Sequence, residues 1–127
     1  MEDMKKIWKR EEIPVEHTWA TEDLYPSDAA WEETLATLEA DKATMTAFAG
    51  KLGQSGEILF DYLENMERVD VKISCLANYA MRKSDEDTRN SFYQAMSGKF
   101  RSIMVAFGAA CSFETPEIMA IEDDVLE

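Results

Sequence analysis

The stretch SGEILFDYLENMERVDVKISCLANYAMRK, residues 55–83, decides the fold. Its apolar residues Leu59, Tyr62 or Leu63, Met66, Val69, Ile73, Leu76 and Ala80 recur at intervals of three and four, which is the period of one helix face. The pattern holds for more than five turns, and nothing inside it breaks a helix before Lys83. At ~1.5 Å per residue such a helix is roughly 40 Å long and needs a large partner surface. A stripe of this kind reads as core rather than as cofactor contact.

Partner surfaces lie on both sides. Upstream, residues 27–49 place Trp31, Leu35, Leu38, Met45 and Phe48 at helical spacing, with Lys42 alone interrupting. Ser27 is the expected N-cap after Pro26, and Asp28, Glu32 and Glu33 sit where the positive end of the helix dipole favours acids. Gly50 is a natural stop. The linker GKLGQSG has three glycines in seven residues, Gly50, Gly53 and Gly56, and suits a tight connection. It is no phosphate cradle, because no Gly-Lys-Ser/Thr ends it and no strand precedes it.

Downstream, KSDEDTRN (residues 83–90) reads as a solvated turn ending in an Asp87 or Asn90 N-cap. A calcium loop is excluded there, since Arg89, Asn90 and Met96 stand where oxygen, glycine and glutamate are needed. A third helix from Ser91 to near Ser112 sets Phe92, Met96, Phe100, Ile103, Phe107 and Ala110 on one face. Gly98 and Gly108 either weaken it or let a neighbour approach closely. A short fourth helix follows, with Thr115 as N-cap and Pro116 at its first position. Ile118, Met119 and Ile121 then have little left to pack on, which suggests a segment of a larger protein. Before the first helix, residues 15–33, VEHTWATEDLYPSDAAWEE, supply turn and cap signals at Thr21, Asp23, Pro26 and Asp28. Trp19, Leu24 and Tyr25 are the apolar anchors of the entering chain.

The fold class expected is therefore all-α: an antiparallel bundle of three long helices, an extended N-terminal arm over 1–26 and a short fourth helix within a helical domain over 27–127. Charge narrows the function. Lys plus Arg is 13 and Asp plus Glu is 26, for a net charge of −13. Four of the cations, Lys5, Lys6, Lys9 and Arg10, lie in the first ten residues, so the remainder is still more acidic. Such a surface repels phosphate backbones, which excludes nucleic acid as a partner. The basic cluster lacks the apolar face of an interfacial helix and reads as a solvated tail. With no secretory leader and no run long enough to span a bilayer, the expected location is cytoplasmic and off the membrane.

Chemistry is sparse. Cys75 and Cys111 sit in apolar company without zinc spacing and read as small core residues. Their places on antiparallel helices put them on the order of 18 Å apart, so no bridge between them is expected. His17 is the only histidine, too few for a zinc hydrolase, which needs several ligands and an open position. Carboxyl pairs such as Glu32/Glu33, Glu64/Glu67 and Glu122/Asp123 lie on expected polar faces or tails. No nucleophile elbow is present.

The segments EEIPVEHTWATEDLYPSDAAWEE, FAGKLGQSGEILFDYLE, LANYAMRKSDEDTRNSFYQAM and SFETPEIMAI, in this order and with similar gaps, resemble the start of oligoendopeptidase F. That family belongs to the thimet oligopeptidase-like zinc metallopeptidases. The resemblance implies a larger, mostly helical peptidase whose HExxH zinc helix lies downstream. In an HExxH helix two histidines one turn apart reach the metal and the glutamate activates water. This chain contains no HExxH, so no catalytic or zinc role passes to any position here, His17 and Glu16 included. No cofactor is expected in this chain, and zinc is expected in the missing catalytic part.

By the same resemblance the chain forms a helical wall of the substrate cleft, inactive alone. Its partners are then the catalytic domain and, for the whole enzyme, short peptides. Tyr79 and Arg82 are the candidates for facing that cleft, with a packing tyrosine and a solvated arginine as the simpler reading. The alternative is an autonomous helical dimerisation or interaction module using the stripes of residues 55–83 and 91–112.

Overall fold

The computed structural model describes residues 6–127; residues 1–5, with Lys5 of the basic cluster and the start of the expected arm, lie outside the described residues. Three long helices, α1 (Asp28–Thr46), α2 (Gly56–Glu86) and α3 (Ser91–Ala110), are followed by two short ones, α4 (Glu114–Met119) and α5 (Asp123–Leu126). The all-α expectation holds. The C-terminal end carries two short helices where one was expected.

Local chemistry explains where the long helices begin. The Ser27 hydroxyl accepts from Ala30 N–H at 3.1 Å and the Ser55 hydroxyl from Ile58 N–H at 3.2 Å. The Asn90 side chain accepts from Phe92 N–H at 3.0 Å, so of the two candidate caps Asn90 is used. Each bond satisfies one of the amides a helix start leaves unpaired. Gly50, at φ 78°, takes the left-handed conformation that turns the chain after α1.

Contacts give the helix directions. On α1 and α2, Asp28 meets Tyr79, Trp31 meets Leu76 and Asp41 meets Lys72, so rising numbers face falling ones and the pair is antiparallel. Between α2 and the α3 end of the chain, Tyr62 lies against Phe113 while Lys83 lies over Tyr93, again antiparallel. The core is centred on Trp31, Leu38, Met45, Tyr62, Leu76 and Ala80, all buried. At its middle the Trp31 indole N–H donates to the Leu76 carbonyl at 2.9 Å, tying α1 to the centre of α2.

Several expectations need correction. α2 runs past Lys83 to Glu86, because Lys83 packs over the Tyr79 and Tyr93 rings, Arg82 pairs with Asp85, and Arg10 pairs with Glu86 at 3.2 Å. Phe92 is exposed, and Tyr93 takes the inner position. Steps of four residues drift about 40° per step around a 3.6-residue helix, so a face centred on Phe100 and Phe107 meets 93, not 92. Gly98 and Gly108 are exposed, with open space where a Cβ would stand, so they admit no neighbour.

Thr115 is not a cap. Phe113 precedes α4 in helical conformation without a side-chain cap, because the chain leaves α3 through a tight turn instead of an extended residue. Pro116 is then the third residue of α4, which is tolerated since its amide would lack an intrahelical partner there. Of the apolar residues at the C-terminus, Ile118 packs on the core and Ile121 lies against Gly53, whereas Met119 has no such partner and is 80% exposed. Leu52, inside the glycine linker, is fully buried, although no periodic pattern marks it. The arm is a chain of single 3-10 turns, Arg10–Glu12, Val15–His17 and Thr21–Asp23, rather than simply extended.

Candidate functional site: the outward face of α2

The core face of α2 is sealed by α1 and α3, and the arm crosses part of the opposite face. Trp19, Thr21 and Leu24 from the arm and Cys75, Asn78 and Arg82 from α2 enclose a groove of about 360 Å³. The Arg82 guanidinium sits 5.2 Å from the centre of the Trp19 ring, and Tyr25 meets Tyr79 edge-on at 5.6 Å. Those contacts hold the arm in place. Further along α2 a second open hollow of about 500 Å³ is lined by Leu63, Met66, Glu67, Asp70, Val71 and Glu114. The two share Ser74 and Cys75, so they form one continuous surface along the helix.

The remaining polar clusters are structural. Both oxygens of the Asp28 carboxyl group accept from phenols, Tyr79 at 2.7 Å and Tyr93 at 3.1 Å, so the start of α1 holds α2 and α3 together. Burial first, then the hydrogen bond to Asp28 and its charge, pushes both phenols above their ordinary range. At the other end the Tyr62 hydroxyl donates to Glu114 at 2.5 Å; burial and that carboxyl group push this phenol up as well. Glu117 accepts from Gly50 N–H at 2.8 Å and Leu52 N–H at 3.3 Å, fastening α4 to the linker. Each tie joins acid to donor within the bundle.

The residues singled out from sequence are scattered. His17 is exposed on the arm, Cys75 is half-buried in the groove, and Cys111 is half-buried after α3, its thiol pushed up by burial and then by Glu114. Of the two candidates for facing a cleft, Tyr79 is buried in the core and Arg82 is exposed. Glu32 is held by Lys99 at 2.6 Å, and Glu33, Glu64, Glu67, Glu122 and Asp123 point to solvent. Among the described residues no group of three or more His, Cys, Asp or Glu side chains converges on a common point. One imidazole and two separate thiols do not fit a zinc site, so no step here runs through a metal. Sequence reading missed the outward surface, although Phe60 and Val71 were visible as apolar residues off the main stripe; of the alternatives Tyr62 and Leu63 in that stripe, Tyr62 is the buried one and Leu63 faces outward.

Comparison with known proteins gives these features a family. The chain is 34% identical over 118 residues to oligopeptidase PepF of Bacillus subtilis, covering 93% of this chain and 18% of that protein. It is 32% identical over 117 residues to the plasmid-encoded oligoendopeptidase F of Lactococcus lactis subsp. cremoris, covering 91% and 20%. A more distant relative at 24% identity is group B oligopeptidase PepB of Streptococcus agalactiae. No family model matches, and no solved structure matches. The chain spans about a fifth of the length of the curated relatives it matches.

The chain is thus a helical segment homologous to part of bacterial oligopeptidases. More narrowly, about nine-tenths of its length is similar to oligoendopeptidase F, as its sequence resemblance implied.

Proposed function

We propose that this chain is the N-terminal, non-catalytic helical part of an oligoendopeptidase F-like zinc endopeptidase, with 1–26 as an arm and 27–127 as its helical domain. The 34% identity over nearly the whole chain, set against only 18% of the relative, is the observation that carries this reading. The zinc and its activating glutamate belong to the other four-fifths. The role of this part is to wall the substrate cleft so that short, unfolded peptides enter and folded proteins do not. The parent works in the cytoplasm on this reading; among the described residues no helix is long and apolar enough to cross a membrane.

The test is a transplant. This chain replaces the matching fifth of the Bacillus subtilis relative, and hydrolysis of short peptides is measured with and without zinc. The chimera is expected to cleave in a zinc-dependent way, and the isolated chain to be inert in both conditions. Turnover by the isolated chain after purification to homogeneity, or a folded, zinc-loaded chimera that cleaves nothing, overturns the proposal.

A further inference from the structure

α2 has one apolar face, and its opposite side sets a few exposed apolar residues among acids and other polar side chains. Its inner face carries Tyr62, Val69, Leu76 and Ala80, all buried. On the far side Phe60, Leu63, Val71 and Met81 are 63%, 46%, 62% and 38% exposed, spread over about 30 Å of helix. The arm covers the C-terminal half of the outward face around Trp19 and leaves Phe60, Leu63 and Val71 open.

From this geometry we infer that the open part of the outward face of α2, from Phe60 to Val71, is the surface on which the remaining part of the peptidase polypeptide docks. The inference rests on the proposed function and specifies where this segment meets its partner. Two observations select that occupant over a second copy of the chain. The relatives are about five times as long as this chain, so a large body of polypeptide needs an interface with it. Glu64, Glu67 and Asp70 stand among these apolar residues, while Arg82 is already engaged by Asp85 and the Trp19 ring. Two copies, each with net charge −13, repel across such a surface. The partner surface therefore sets lysines and arginines among apolar residues.

Protection from a thiol reagent reads this directly. Val71→Cys and Val105→Cys are made singly in the isolated chain and in the chimera with the Bacillus subtilis relative. Maleimide labelling is then followed residue by residue by peptide mapping. Val105 lies exposed on α3 and serves as the control face.

Position 71 is expected to label at least tenfold more slowly in the chimera than in the isolated chain, and position 105 at the same rate in both. Equal labelling of position 71 in a chimera that still cleaves peptides overturns this docking surface while leaving the proposed function standing. An inactive but folded chimera with position 71 protected does the reverse. Light scattering on the isolated chain supplies a second arm: a stable dimer that Val71→Lys dissociates puts a second copy on this face and overturns the inference.

Discussion

Trp31 offers the sharpest test of the bundle. It is fully buried, and its indole N–H reaches the Leu76 carbonyl in the middle of α2. Trp31→Phe removes that hydrogen bond and leaves a void where the second ring stood. The hydrogen bond contributes about 1 kcal/mol net. Leu76 keeps its helical partner, so its carbonyl is not stranded. The void adds roughly 1–2 kcal/mol, below the 3–5 kcal/mol of a full truncation to alanine, because phenylalanine still fills most of the site. The loss is therefore about 2–3 kcal/mol.

With ~2.1 cal/mol/K of unfolding entropy per residue, 127 residues give a melting shift of about 4 °C per kcal/mol, hence roughly 8–12 °C in all. Helix content followed by circular dichroism through thermal and urea unfolding measures it. Trp19→Phe, on a half-exposed ring at the surface, is the companion variant and should change stability by about 0.5 kcal/mol or less. A Trp31→Phe protein that melts within 2 °C (roughly 0.5 kcal/mol) of the parent would refute the placement of this ring between α1 and α2.

Two further outcomes follow from backbone conformation and from the phenols. Gly50→Ala should cost about 1–2 kcal/mol, because alanine at φ 78° is strained even with open space around its Cβ. Gly108→Ala, equally uncrowded but helical, should instead stabilise by about 0.5–1 kcal/mol; equal effects of the two in urea titration would contradict the assigned turn. The phenols of Tyr25, Tyr62, Tyr79 and Tyr93 are all raised, burial being the first cause in each. Groups raised on folding contribute stability that is complete below their unfolded value near ~10 and lost as pH climbs above it. Tyrosinate absorbance at alkaline pH should accordingly appear together with loss of helix; full ionisation of a still-folded chain near pH ~10 would show the phenols to be solvated.

What the sequence discloses is what local chemistry encodes. The three long helices follow from periodicity, and Ser27, Ser55 and Asn90 are caps because each hydroxyl or amide meets an amide two or three residues ahead. Leu52 escapes detection because it is buried by neighbours distant in sequence, in a segment with no period of its own. Phe92 and Tyr93 are exchanged because a four-residue step drifts off the true face within two turns. Thr115 and Pro116 looked like a helix start, yet α4 continues almost directly from α3, and a cap residue needs an extended backbone that this turn does not provide. The ties through Asp28, Glu114 and Glu117 span more than fifty residues and have no local signature.

Those ties also bear on the outward face of α2. One end of the bundle is closed by Asp28 between Tyr79 and Tyr93, the other by Glu114 and Glu117 on Tyr62 and the glycine linker, and the middle by Trp31 and the Lys72 to Asp41 pair at 2.6 Å. None of these contacts uses Phe60, Leu63 or Val71. Phe60 and Val71, 63% and 62% exposed, therefore contribute little to holding α1, α2 and α3 together. Val71 stands on a side of α2 that none of these ties uses, and its protection, rather than that of any core residue, separates a docking segment from a self-sufficient bundle.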